Sequence, residues 1–347
     1  MVAGAANTDG GVLISMSAFK EVQVSEDEKS IKAGAGLNWY ELYSAIEPHG
    51  LIVLGGRLRT IGVSGLTLGG GISYFTSKYG FAMGNALAYE VVTASGAIMT
   101  ATATSDPELF WVLKGGGNNF GIVTKFTFAT YRAPKVSTGF QLHTEEVVDE
   151  YITAVANFAS YHKEIDTGAG GIFVGVYVKV RTVQIGKVEK PSVFENFTAL
   201  PSAIVSSYAA GREIFGTHSM LIDEASIRRM WKMFKAATEK MAHIHEFYSA
   251  FTFQPISRSA VRVAKTNGVG NTWGLDDRKP SLWWIIFTHW ANASDEEEDI
   301  AWQNNIREEV HAANMEAGVG LGFIYMNDCA DDQDPFSGLP QDKTLRG

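Results

Sequence analysis

The stretch Thr60-Ile61-Gly62-Val63-Ser64-Gly65-Leu66-Thr67-Leu68-Gly69-Gly70-Gly71 constrains this chain more than any other segment. Glycine and hydroxyl residues alternate there with small apolar ones. A residue without Cβ reaches positive φ freely and lets the backbone lie close to another surface. A row of exposed backbone N–H groups forms a nest that suits phosphate and carbonyl oxygens. Glycine content alone equally fits a tight multi-turn loop with no ligand. Two common ligand loops do not fit. No Gly-Lys-Ser/Thr closes the stretch as in a P-loop, and no βαβ alternation surrounds it as in a dinucleotide-binding fingerprint.

The rest of the chain divides by texture. From Gly10 to Gly121 glycines are dense, and the pattern is one of short strands, turns and few helices. Val12-Leu13-Ile14-Ser15-Met16 reads as a short apolar strand. Phe19 to Val24 and Ser30 to Ala35 read as a strand pair around an acidic turn. Asn38 opens a helix with Trp39, Leu42 and Ile46 on one face, ending near Pro48 and Gly50. Leu51 to Leu54 reads as a short buried strand. After Arg132-Ala133-Pro134 the helices lengthen. Val148, Tyr151, Ile152, Val155, Phe158 and Ala159 mark one, and Ile227, Met230, Trp231 and Phe234 a second. Ser294 and Glu297 form a capping box before a third, which carries Ile306, Val310 and Ala313. Asp295 to Asp299 is an acidic run suited to that helix's N-terminus. Strands are expected at Gly171–Val180, Glu246–Gln254, Leu282–Trp290 and Val319–Met326. This order predicts an α+β fold with an antiparallel sheet covered by helices. The boundaries are residues 1–133, 134–328 and an irregular tail, 329–347.

Composition narrows the function. With 347 residues, 46% hydrophobic and 19% charged, the chain is expected to be globular. A net charge of -9 argues against a nucleic-acid partner, since phosphate contacts need clustered Lys and Arg. No apolar run reaches bilayer length, so no membrane partner is expected. The single Cys329 excludes an internal disulfide and has no activating neighbours in sequence. The first residues show no secretory signal, which reads as cytoplasmic for the chain as written. His243 and His245 could share a strand face, but without further ligands no metal site is expected.

The glycine stretch resembles the second half of the PCMH-type FAD-binding domain of berberine-bridge-enzyme-like and vanillyl-alcohol-oxidase-like oxidoreductases. The likeness continues in order. Lys78-Tyr79-Gly80-Phe81-Ala82 is similar to the family's "KYGLA" element. Asn85 leads to Tyr89-Glu90-Val91-Val92-Thr93-Ala94-Ser95-Gly96, similar to the next strand and turn. Asp106 to Trp111 resembles the "DLFWA" helix, and Lys114-Gly115-Gly116-Gly117-Asn118-Asn119-Phe120-Gly121-Ile122-Val123-Thr124 the "RGGGGNFGIVT" element. The resemblance is strong from Gly10 to Phe128 and weaker from Phe251 to Pro335.

That likeness implies FAD, whose diphosphate and pyrimidine-dione ring offer the oxygens such a nest binds. It implies backbone contact with the cofactor at Thr60, Ile61, Gly62, Val63, Ser64 and Gly65, and a compact turn beside it at Gly69, Gly70 and Gly71. Val92, with Gly121, Ile122 and Val123, is implied near the adenosine half. Core packing is expected for Phe110 and Trp111, and turn chemistry for Asn118 and Asn119. Two departures stand out. The family's N-terminal "GGH" loop, bearing the histidyl link and part of the diphosphate cradle, has no counterpart. The position of the cysteinyl link is Leu58. FAD is therefore expected to be non-covalent, and the chain to be cut at both ends, with an exposed apolar patch around Val12 to Ile14.

Phe323-Ile324-Tyr325-Met326-Asn327-Asp328 resembles the "AYLNY" strand, whose last tyrosine acts as base in several members. Here that residue is Asp328. Tyr325 is an alternative polar group, expected on the opposite strand face. The expected reaction is hydride transfer from a small organic substrate to the flavin N5, with oxygen as acceptor, under a wall drawn from Trp283, Trp284, His289 and Trp290. The rival expectations are a catalytically inactive truncated homologue and a non-redox binding module.

Overall fold

A computed structural model describes residues 10–160, 168–175, 179–185, 212–244, 247–266, 270–290 and 292–339. Two antiparallel sheets carry it. The first contains β1 (Val22–Val24), β2 (Ser30–Gly34), β4 (Ala86–Val92), β5 (Ile98–Ala101) and β6 (Ile122–Ala129), in the order β1-β2-β6-β4-β5. β3 (Leu51–Ile52) and β7 (Tyr131–Arg132) pair as a separate ribbon. Ala133-Pro134-Lys135 separate this ribbon from the second sheet. It contains β8 (Val136–Leu142), β9 (Ala169–Gly175), β10 (Lys179–Ile185), β11 (Arg212–Leu221), β12 (Tyr248–Ile256), β13 (Ser281–Trp290) and β14 (Gly320–Leu321), in the order β14-β11-β13-β12-β9-β10-β8.

Local sequence accounts for the helices. Asn38 accepts from Glu41 N while the Glu41 side chain accepts from Asn38 N, a reciprocal cap that starts the Trp39–Ile46 helix. Its buried face is Trp39, Leu42 and Ile46, against the first sheet's Ile31 and Phe128. Gly50, left-handed, closes the short turn that follows. In the second domain the helices Val148–Ala159, Glu224–Glu239 and Glu296–Glu316 pack on one sheet face through Tyr151, Met230, Trp231, Ile306 and Val310.

β13 shows why only alternate residues face one way. Trp284 and Ile286 join the helix-covered core, whereas Trp283 joins a third core with Phe81 and Met83 of the first domain. That third core, with Ile72, Ile256, Trp273, Phe323 and Tyr325, joins the part of the chain before Pro134 to the part after it and is called the seam below.

Six segments differ from the sequence reading. Phe19 to Val24 is a strand only over Val22–Val24, and Leu51 to Leu54 only over Leu51–Ile52. Val12–Met16 forms no strand; Val12, Leu13 and Ile14 are 86%, 66% and 58% exposed, and no described strand pairs with them. The Gly171–Val180 run is two strands, β9 and β10, paired antiparallel with Val174 opposite Lys179. Ser294 lies inside a 3₁₀ turn and bonds Asp295, so its capping box with Glu297 is not made; Asp295 occupies the N-cap. The Val319–Met326 strand shrinks to β14, and Met326–Asp328 is a 3₁₀ turn. Apolar content alone does not sustain a strand where pairing ends. His243 lies in a turn and pairs with Glu298, while His245 falls outside the described residues.

Candidate functional site

The glycine stretch meets the second domain edge-on. A Cβ at Gly69 would overlap the Asn327 side chain, and a Cβ at Gly70 or Gly115 would overlap the Trp273 ring. Gly71 N donates to Tyr325 Oη at 3.2 Å, and Asn327 Nδ2 donates to the same oxygen at 2.9 Å. Phe81 stacks on Trp283 with ring centroids 5.8 Å apart and planes 3° from parallel. Gly70 and Gly115 thus form a socket for the Trp273 ring.

Whether the ribbon also fits FAD depends on which glycines stay open. A Cβ on Gly62 or Gly65 meets nothing within 4 Å, and both residues are exposed, as are Leu58, Arg59 and Thr60. The Arg59 and Ile61 carbonyls turn inward and accept from Tyr40 N and Trp39 N. No side chain caps the Val63–Leu68 helix, so the first-turn amides of Ser64 and Gly65 are open donors. Bare glycine surface beside free amides suits a flat, oxygen-bearing ring system. Positions 58–65 fit such a group. Gly69, Gly70 and Gly71 are buried, and their near neighbours are protein atoms.

The remaining cofactor positions cluster at the same end of the first sheet. Ser64 Oγ donates to Ala35 O at 2.7 Å, and Ala35 N donates to Thr124 O at 3.0 Å. This links the open loop to the segment Gly121-Ile122-Val123. Val92 pairs directly with Ile122 in the sheet register. Ile122 is exposed, Val92 and Gly121 are half-buried, and Val123 is buried. Phe110 sits in the core and Trp111 packs against it, as expected; Asn119 Nδ2 closes a turn on Gly116 O.

The polar centre of the seam is a chain of three side chains. Arg57 Nη2 donates to Gln254 Oε1 at 2.5 Å, and Gln254 Nε2 donates to Asp328 Oδ2 at 2.8 Å. Gly55 and Gly56 put Arg57 there by packing their bare Cα atoms against Trp39. Gln254 faces the seam because it pairs with Trp283 in the β12–β13 register. Burial pushes the Asp328 carboxyl above its usual range, opposed by the Arg57 charge and the Gln254 bond. Burial also pushes the Tyr325 hydroxyl well up, helped by the nearby Asp328 charge.

Tyr325 and Asp328 therefore converge on one region. The expectation of opposite strand faces fails because the segment turns: Asp328 N donates back to Tyr325 O at 3.0 Å. Sequence reading missed Arg57 and Gln254. Their only signal was Arg57's place directly before Leu58. The Cys329 thiol bonds Met326 O, and burial raises its pKa. That is the profile of an inert residue.

Residues 1–102 match the family model described as an FAD binding domain. The FAD-dependent monooxygenase prx3 of Penicillium roqueforti is 29% identical over 366 aligned positions, covering 96% of this chain and 71% of the relative. Two solved structures share the fold. 6-hydroxy-D-nicotine oxidase of Arthrobacter nicotinovorans matches with a TM-score of 0.72 at 20% identity, covering 97% of this chain and 78% of the other. A variant of BBE-like 1 of Physcomitrella patens also matches with a TM-score of 0.72, at 18% identity, covering 94% and 75%.

Proposed function

We propose, on the premise that this chain belongs to the FAD-linked oxidoreductases of the berberine-bridge-like, PCMH-type family, that it oxidises a small organic substrate at the seam with Asp328 as the base. FAD is the cofactor, and when bound it would supply a two-electron acceptor for the substrate's hydride, with oxygen as the final acceptor. The chain's own residues hold the cofactor and move the proton. The open ribbon, Thr60 to Gly65, holds it through main-chain groups, and Leu58 offers no cysteinyl tether. Val92, Gly121, Ile122 and Val123 lie along the adenosine side, and Gly69, Gly70 and Gly71 keep the adjoining turn compact.

Asp328 is the better base of the two candidates. Its Oδ2 accepts from Gln254, which leaves Oδ1 to take a proton. Burial brings its pKa toward the range where a carboxylate is a useful base. Tyr325 Oη already accepts two hydrogen bonds and keeps its own proton, so its role is that of a donor. The observation that carries this reading is the Arg57–Gln254–Asp328 chain, which joins the residue before the open ribbon to the candidate base.

Two measurements test it. Purified protein, supplemented with FAD, should show the visible bands of oxidised flavin. Under anaerobic conditions a panel of alcohols, amines and hydroxy acids should bleach them. Asp328→Asn should keep the bands and slow the bleaching by roughly 100-fold or more. Because the carboxyl acts deprotonated, the wild-type rate should rise with pH through its raised pKa, and Asp328→Asn should lose that limb. Absent flavin bands would leave a non-redox binding module instead. An unchanged Asp328→Asn rate removes Asp328 from the chemistry.

A further inference from the structure

Arg57 carries more hydrogen-bonding capacity than the protein uses. A guanidinium has five N–H donors in a rigid fork, and among the described residues one is engaged, with Gln254. Among the described residues no carboxylate forms an ion pair with it. The nearest acid in its chain, Asp328, is reached only through the Gln254 amide.

This half-buried cation lines a small open cleft at the seam, with about 20 Å³ of room for the centre of a water-sized group. The cleft is also lined by Gln254, Ser73, Thr76, Ser77 and Ser257. Among the described residues, two of these hydroxyls accept a hydrogen bond and donate none. Thr76 Oγ1 accepts from Ser73 N, and Ser77 Oγ accepts from Ser257 Oγ. Each hydroxyl that accepts in this way still has its own O–H to donate. The wall therefore offers a guanidinium fork and hydroxyl donors; the Asp328 charge is felt by Arg57 but is held off the fork by the intervening Gln254 amide. A planar carboxylate matches that set, because it accepts two parallel N–H bonds from an arginine.

We propose that the substrate is an organic acid, and that Arg57 holds its carboxylate in this cleft, with the Thr76 and Ser77 hydroxyls as further donors. Calling the bound acid a substrate rests on the oxidoreductase reading above; the anion site itself does not. The cleft sets Arg57, the residue that precedes the open ribbon, against Gln254, Pro255 and Ile256 of β12. Oxidation would then occur at a carbon within reach of Asp328, and the substrate's acid end would be the handle that orients it.

The test is titration calorimetry on the full chain loaded with FAD, using benzoate and its neutral isostere benzamide. Benzoate should bind at least tenfold more tightly than benzamide. Arg57→Gln should abolish the preference, and Arg57→Lys should keep only part of it, since an ammonium retains charge without the fork. Equal affinity for the two probes in the wild-type protein overturns the proposal, as does a preference that survives in Arg57→Gln. Phenylglyoxal labelling of wild-type protein, mapped by peptide mass, covers the case in which Arg57→Gln does not fold. Benzoate should protect Arg57 from modification and benzamide should not; labelling indifferent to benzoate overturns the proposal. Benzoate binding seen only without FAD, and displaced by it, would assign Arg57 to the cofactor and also overturn the proposal. Flavin absorbance on the same samples reports the redox reading separately. Protein that binds benzoate through Arg57 yet never retains FAD keeps the anion site and loses the oxidoreductase.

Discussion

Gly70 is a residue with two independent reasons to lack a side chain. Its φ of +111 is one that L residues rarely adopt, and the space where a Cβ would project is filled by the Trp273 ring. Gly70→Ala should cost roughly 3 kcal/mol or more, from backbone strain and overpacking together; urea unfolding would measure it, and a loss under 1 kcal/mol would mean the seam yields easily. The sequence marked this glycine as special but tied it to a cofactor. Its packing partner is some 200 residues away, and nothing local announces it. Lys114 is a second such case. It is buried, its Nζ donates to Met83 O and Ala86 O at 2.7 Å each, and it lies 4.4 Å above the Phe110 ring. Burial pulls its pKa down to about 7. In the sequence it was only the first letter of a motif. In the structure it satisfies two carbonyls around the short Ala82–Asn85 turn, a role that depends on where that turn sits and not on neighbours in the chain.

Elements built on short-range chemistry were the legible ones. The Trp39–Ile46 helix has its cap, its apolar stripe and its stop within a dozen residues, so periodicity and capping residues specify it alone. The Glu224–Glu239 helix buries Ile227, Met230, Trp231 and Phe234, the four residues that marked its face. Strands were less legible, because a strand exists only if another pairs with it. Val12–Met16 has the composition of a strand and no described partner, and β14 ends after two residues. The acidic start of the Glu296–Glu316 helix carries a prediction. Asp299 is buried with no hydrogen-bond partner for either carboxyl oxygen among the described residues, and burial first, then its acidic neighbours, raise its pKa to about 6. The folded state therefore holds a proton that the unfolded chain releases near pH 4. Stability should fall as pH rises from about 4 to about 6, and stay lower above that. Asp299→Asn should flatten this slope and be more stable than wild type at pH 7 by roughly 2 kcal/mol. Matching unfolding curves at pH 7 would refute the assignment.

At the scale of the whole molecule, the seam is where the parts become a site. Trp273 touches Phe81, Trp283, Phe323 and Tyr325 and seats on two glycine loops of the other domain. Trp273→Ala should open a cavity between the domains and cost about 3–5 kcal/mol. It should also free the glycine turn that holds Tyr325, so FAD affinity, followed by fluorescence titration, should drop with the melting temperature. A variant that melts lower but binds FAD as before would separate the seam from the cofactor ribbon. The sequence by itself determined the Trp39–Ile46 helix, the three long helices and several strand-forming runs, because capping and periodicity act over a few bonds; the short helices Val63–Leu68 and Arg258–Ala264 it did not show. Only tertiary structure decided which glycines stay open and which receive a tryptophan. It alone set Arg57, Gln254 and Asp328 in line, because those contacts join residues about 200 and 70 positions apart, and a hydrogen bond across that separation depends on how two sheets are packed.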